Sequence, residues 1–222
     1  MTGSMADSNS LFDDVASEYD AWFEGEGKLI FDIEASALRR VLPRLLRPWL
    51  EVGVGSGRFA QALGIEIGID PSTRLLEMAR GRGITVFPVR GEESFFDEDT
   101  FGTVFLIVTL CFVDSPLRVL KEAHRILKTE GKVVLGLVLR ESPWGQFYRA
   151  KKEAGHRLYR HATFYRYLEV DKYLKHAGFA VEKIVTTLFQ KPGEVTEIET
   201  PQECSSPEAG FTVIVASKIT GR

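Results

Sequence analysis

The sequence predicts an α/β protein, a mostly parallel sheet with helices on both faces, and three observations carry that expectation. From position 49 onward, short apolar runs alternate with stretches of helical periodicity, the pattern of strands connected by crossover helices. Each apolar run is too short to be a helix. A glycine-rich turn joins the first run to the first helical stretch.

The elements follow in order. Leu11, Phe12, Val15, Ala16, Tyr19 and Trp22 recur at helical spacing, with Ser10 available as an N-cap. A second helix is expected over 29–42 through Ile30, Ile33, Ala37, Leu38 and Val41, closed by Pro43. Strands are expected at 49–54, 66–69, 84–89, 104–108 and 132–138, with helices between them at 58–63, 72–80 and 116–127. The alternation breaks after Val138, where 141–165 reads as a polar, aromatic-rich helical insertion. A helix over 168–176, stopped by Gly178, and strands at 180–189 and 211–217 complete seven strands. Residues 191–210 hold three prolines and five glutamates, the composition of a surface loop.

A chain of 222 residues, 44% hydrophobic, can bury one sizeable core, so a single domain over 5–222 is expected. Met1-Thr2-Gly3-Ser4 ahead of Met5 reads as an expression-tag remnant. The formal net charge of -3 lacks the basic excess that binding a phosphate backbone requires, which argues against DNA as a partner. With no run of about 18 apolar residues and no signal-peptide layout at the start, a cytoplasmic protein without a membrane partner is expected. Cys111 and Cys204 form no CxxC or Cys/His cluster, so neither a disulfide framework nor a zinc site is expected. Monomer and dimer are equally compatible with these features.

The turn itself reads Leu50-Glu51-Val52-Gly53-Val54-Gly55-Ser56-Gly57-Arg58. Glycine lets the backbone turn sharply and approach a ligand with no Cβ in the way. A dinucleotide loop, GxGxxG or GxGxxA, would need a small residue where Arg58 stands, and a P-loop would need Lys followed by Ser or Thr. What remains is an acidic residue two positions before GxGxG. This resembles motif I of the class I S-adenosylmethionine-dependent methyltransferases.

The second expected strand ends in Gly68-Ile69-Asp70-Pro71-Ser72. A carboxylate at that strand end can accept from both hydroxyls of a ribose, and Asp70 or Ser72 could also cap the next helix. Val89-Arg90-Gly91-Glu92-Glu93-Ser94-Phe95-Phe96-Asp97-Glu98-Asp99-Thr100-Phe101-Gly102 aligns without a gap on the G-D-A-E-x-L-P-F-x-D-x-S-F-D pattern of the methyltransferase group that includes the ubiquinone and menaquinone biosynthesis enzymes. Leu120-Lys121-Glu122-Ala123-His124-Arg125-Ile126-Leu127-Lys128 is similar to that group's following helix, and the resemblance runs from Phe12 to Gly136. It departs at Val89, Gly91, Ser94, Phe95 and Gly102, and Phe112 stands where relatives often carry histidine.

The resemblance implies a Rossmann-like, doubly wound sheet with its last strand antiparallel, an N-terminal helical lid and a helical insertion after the fifth strand. It implies S-adenosylmethionine as cofactor, S-adenosylhomocysteine as product, and no metal. The cofactor residues implied are Tyr19, Glu51, Gly53, Gly55, Gly57, Asp70, Pro71, Gly91, Glu92, Thr109 and Leu110, with Glu92 beside the adenine and Tyr19 near the methionine carboxylate. Methyl transfer needs alignment more than a catalytic dyad, since proximity and orientation supply roughly 7–11 kcal/mol in favourable cases. If a base assists, His156 and His161 in the insertion are the candidates. Phe112, Trp144, Phe147 and Tyr148 are candidates for an acceptor pocket. The expected acceptor is a small molecule bearing an amine, thiol, hydroxyl or carbon nucleophile. Alternatives are an RNA or protein acceptor met by the basic insertion, and a module that binds the cofactor without turning it over.

Overall fold

The computed structural model describes residues 7 to 219, so the expected remnant at Met1–Ser4 lies outside the described residues. Two helices lead, α1 (Asp7–Trp22) and α2 (Lys28–Arg39). The alternating part runs β1 (Trp49–Val52), α3 (Arg58–Leu63), β2 (Ile67–Ile69), α4 (Thr73–Gly81), β3 (Thr85–Phe87), β4 (Phe101–Ile107), α5 (Pro116–Ile126) and β5 (Leu127–Leu137). Then come α6 (Pro143–Glu153), α7 (Tyr167–His176), β6 (Phe179–Thr187) and β7 (Phe211–Lys218). Single 3-10 turns stand at Leu42–Arg44 and Tyr159–His161.

The strands form one seven-stranded sheet in the order β3-β2-β1-β4-β5-β7-β6. The strands from β3 to β5 run parallel, and β7 is antiparallel to both its neighbours. This is the doubly wound fold expected, with the strand order reversing between β1 and β4. An open sheet of this kind leaves a crevice at the carboxyl ends of the strands flanking that reversal.

Side-chain alternation sorts the sheet into two cores. Phe105 and Ile107 of β4, Val134 of β5 and Val213 and Val215 of β7 pack on one face with Ile33, Ala37 and Leu38 of α2 and Phe59, Ala60 and Leu63 of α3. Val104 and Leu106, Val133 and Leu135, and Ile214 and Ala216 pack on the other with Val119, Leu120 and Ala123 of α5 and Val170 and Leu174 of α7.

Local chemistry fixes the helix ends. Ser72 accepts from the Leu75 amide at 3.2 Å to start α4, and Ser142 accepts from the Gly145 amide at 3.0 Å ahead of Pro143 to start α6. Gly178 follows α7 with φ of 87°, the left-handed stop expected there. Several boundaries differ from the sequence reading: β1 and β3 are shorter than expected, and β4 and β5 start earlier, at Phe101 and Leu127. Ser10 lies inside α1 rather than ahead of it, and α2 ends at Arg39, with Pro43 belonging to a separate 3-10 turn.

Candidate active site

At the carboxyl ends of β1, β2, β4 and β5 the fold forms a cavity of about 620 Å³. Its floor is the turn after β1. Gly53 there has φ of 73°, and a Cβ added to it would stand 2.3 Å from the Thr109 side chain, so only glycine fits. Thr109 in turn donates from its hydroxyl to the Ile107 and Gly53 carbonyls at 3.0 and 3.4 Å, fastening the end of β4 to the end of β1. Val108, between them, has φ of 52°, strained for a β-branched residue, and lines the cavity.

Asp70 and Pro71 line the same wall. One Asp70 oxygen accepts from the Gly55 amide at 3.0 Å and the other from the Ser72 amide at 2.8 Å, so the carboxylate clamps the glycine turn while Ser72 performs the capping. Burial lifts the Asp70 carboxyl to about 6 against the pull of those two amides. Glu51 lies behind the wall, 2% exposed, with Oε2 buried and without a hydrogen-bond partner. Burial, then the neighbouring Asp70 charge, holds Glu51 well above the usual carboxylate range. Glu92 lines the cavity beside Arg90, whose Nε stands 3.7 Å from it.

The roof is α1. Asp20 accepts from Arg58 at 2.8 and 2.6 Å and from Arg82 at 2.8 Å, while Arg82 also donates to the Ser56 carbonyl at 2.8 Å. Nearer the start of α1, Asp13 accepts from the Ser72 hydroxyl at 2.5 Å and the Arg74 amide at 3.1 Å. These contacts bolt α1 across the glycine turn and the start of α4, with Phe12, Tyr19 and Trp22 lining the cavity. Phe12 meets Phe112 edge to face at 5.3 Å between ring centroids. Arg58, the residue that excluded a dinucleotide loop, thus fastens the lid.

The insertion supplies the remaining wall. The Tyr148 ring lies 4.6 Å from that of Tyr159 and stacks on Phe164 at 6.2 Å, and all three line the cavity. His156 also lines it, from an exposed position, and its Nδ1 accepts from the Leu158 amide at 3.3 Å.

Of the residues singled out from the sequence, Tyr19, Gly53, Gly55, Asp70, Pro71, Gly91, Glu92, Thr109, Phe112, Tyr148 and His156 line this one cavity. The others do not. Glu51 is behind the wall, Gly57 packs on Ala79, and the Leu110 side chain is buried in the core shared with α5. Trp144 turns inward, where its Nε1 donates to the Gln190 carbonyl at 2.8 Å and its ring covers Gly210. Phe147 lies under Lys151 Nζ at 4.6 Å. His161 is exposed and takes a hydrogen bond from Arg160 at 2.8 Å. Gly91 owes its size to Val52, 2.5 Å from where a Cβ would stand. The sequence reading missed Val108 and a cavity-lining carboxylate on α2, Glu34. Among the described residues, no group of three or more His, Cys, Asp or Glu side chains is placed to hold a metal, and no helix is long and apolar enough to cross a membrane.

Comparison with known proteins agrees with this geometry. The methyltransferase domain family model matches residues 50–135. An uncharacterized protein of Methanocaldococcus jannaschii is 36% identical over 210 residues, covering 95% of this chain and all of that one. An uncharacterized Mycobacterium tuberculosis protein is 38% identical over 203 residues, covering 90% of this chain and 71% of the relative. A crystal structure from Thermotoga maritima, described as a SAM-dependent methyltransferase and possible histamine N-methyltransferase, superposes with a TM-score of 0.89 at 38% identity, covering 95% of this chain and 99% of that one. The chain belongs to the class I S-adenosylmethionine-dependent methyltransferases of type 11. It is an enzyme that moves a methyl group to an acceptor.

Proposed function

We propose that the chain, acting as one domain, methylates a small molecule held in the cavity alongside S-adenosylmethionine. The observation that carries this reading is the size and aromatic lining of the cavity. The cavity is roofed by α1 and walled by Tyr148, Tyr159 and Phe164, and its size is that of a small-ligand site. Three basic residues of the insertion are engaged within the chain: Arg149 with Glu153, Lys152 with the Ala162 carbonyl, and Arg157 with Asp14 of α1. A polyanionic acceptor would have to break these pairs.

The residues present fit the cofactor. Asp70 faces the cavity with lone pairs left over for ribose hydroxyls, and Gly53 and Gly55 expose bare backbone. In this assignment Glu92 flanks the adenine, Thr109 keeps the turn in shape, and Tyr19 closes over the aminoacyl end. S-adenosylmethionine, when bound, supplies an electrophilic methyl group on a sulfonium. The chain's part is to orient the acceptor and exclude water through the α1 roof.

Calorimetric titration tests the assignment. S-adenosylmethionine and S-adenosylhomocysteine are expected to bind at micromolar concentration and NAD not at all. Asp70→Ala and Gly55→Val should each weaken that binding at least tenfold, the second because a Cβ would project toward Tyr19 from a backbone with φ of 52°. Unchanged affinity in both variants, with circular dichroism showing an intact fold, would overturn the assignment.

A further inference from the structure

Glu34 has no part in the cofactor assignment. On α2 the apolar positions Ile30, Ile33, Ala37, Leu38 and, beyond its end, Val41 follow a helical repeat, and Glu34 falls on the same stripe. It is 7% exposed and lines the cavity. No hydrogen bond or ion pair engages its carboxylate among the described residues. Burying an unpaired carboxylate is strongly unfavourable, and packing gives no reason for one here.

Its surroundings are phenolic. The charge of Glu34 acts on the hydroxyls of Tyr19 on α1, Tyr148 on α6 and Tyr159 in the following 3-10 turn. Tyr19 shares the cavity with both Asp70 and Glu34. The charged groups of the elements packed on α2 are engaged elsewhere or turned outward. Arg58 holds Asp20 and Glu24, Lys183 pairs with Glu203, Glu182 with Lys132, Lys218 with Asp99, and Arg44 is exposed. The cations lining the cavity are occupied as well: Arg157 by Asp14, Arg90 by Glu92 and Asp114, Lys151 by the Phe147 ring. Besides Asp70, which the amides of the glycine turn and Ser72 hold, the chamber therefore presents a second buried carboxylate, Glu34, with no protein cation paired to it.

Resting on the methyltransferase reading of this cavity, we infer that Glu34 is the acceptor-binding group and that the acceptor is a small amine that arrives protonated. The ammonium donates to the Glu34 carboxylate, and its carbon body lies against Tyr19, Tyr148 and Tyr159, whose rings also favour a cation. One ammonium N–H bond then breaks. Its electron pair stays on nitrogen as the nucleophile, and the proton bonds to a Glu34 oxygen. Burial raises this carboxyl above its ordinary range, toward the basicity of an amine, which narrows the uphill gap the proton must cross.

The test is calorimetry on the protein saturated with S-adenosylhomocysteine, using primary amines from ethylamine to 2-phenylethylamine and their alcohol counterparts. Expected is at least a tenfold preference for the best amine over its alcohol. Near pH 7 amine binding should release close to one proton, read from its heat in buffers of different ionisation enthalpy, because the empty site holds Glu34 protonated. Glu34→Gln should abolish both the preference and the proton release while S-adenosylhomocysteine binds within about twofold of wild type. The proton release is read on the wild-type protein, so it decides even if the variant folds poorly. Equal binding of amine and alcohol, or a preference that survives in Glu34→Gln, overturns this inference alone. Failure of S-adenosylhomocysteine to bind overturns the cofactor reading and this inference with it.

Discussion

Glu34→Gln should make the protein more stable, and only above a particular pH. The carboxyl moves from an ordinary value of 4.5 to about 8 on folding, with burial as the cause. Between those two values the folded chain binds more protons at this site than the unfolded chain does. Stability therefore falls as pH rises, by about 1.4 kcal/mol per unit, until the folded carboxyl ionises. The stabilisation is fully present below about pH 4.5 and lost above about pH 8, a swing on the order of 5 kcal/mol taken as a ceiling, since water entering the cavity would soften it. Glutamine has the same shape and no such titration. The carboxylates of Asp70 and Glu51 titrate in both proteins and largely cancel in the difference. Urea unfolding of both proteins at unit steps from pH 5 to pH 9 gives the comparison directly. The free-energy gap should be small at pH 5 and open steadily to several kcal/mol in favour of Glu34→Gln at pH 9. Parallel profiles, or a gap that changes by less than about 1 kcal/mol, would refute the claim that Glu34 is a buried carboxylate without a partner.

Two further outcomes follow from the lid and the cavity wall. Burial alone would lift Asp20, but hydrogen bonds from Arg58, Ser56 and Arg82 outweigh it and hold the carboxyl well below the usual range. Its contribution is thus present above the usual carboxylate range and lost as pH falls through the lowered value. Asp20→Ala at pH 7 should cost about 2 kcal/mol in urea unfolding, at the low end for a broken ion pair because the site is partly solvated, and should make α1 the first site of limited proteolysis; a cleavage pattern like the wild type's would contradict the bolt. Cys111 borders the cavity, and burial pushes its thiol up to about 12, whereas Cys204 is exposed. Iodoacetamide at pH 8, followed by peptide mapping, should label Cys204 while leaving Cys111 unmodified on the same time scale, and comparable labelling of both would show that the wall is open to solvent.

The sheet was legible because its signals are local. Apolar runs bounded by glycine, Ser72 ahead of α4 and Pro116 at the start of α5 each act within a few residues, and a right-handed crossover leaves little choice of topology once strands and helices alternate. The cofactor end was legible for a related reason: Gly53, Gly55 and Asp70 sit at strand ends, and strand ends converge in an open sheet. Aromatic side chains in the insertion carry no comparable address. Tyr148 and Trp144 lie on one helix four residues apart, yet Tyr148 lines the cavity and Trp144 is spent on Gln190 and Gly210, a division made by the segment between β6 and β7 from more than forty residues away in sequence.

Glu34 shows the same limit from the other side. Its position was written in the apolar repeat of α2, where an acidic residue interrupts the stripe of Ile30, Ile33, Ala37 and Leu38, and a charge on a buried stripe contradicts the helix's own pattern. What the repeat could not say is what lies opposite. Had an arginine of α3 or a lysine of β6 faced it, Glu34 would be one half of a structural ion pair. Those cations are held by Asp20, Glu24 and Glu203 instead, and the carboxylate opens onto the cavity among three tyrosines. A local contradiction that tertiary contacts leave unresolved is the kind of conflict a folded chain tolerates where a ligand completes the arrangement.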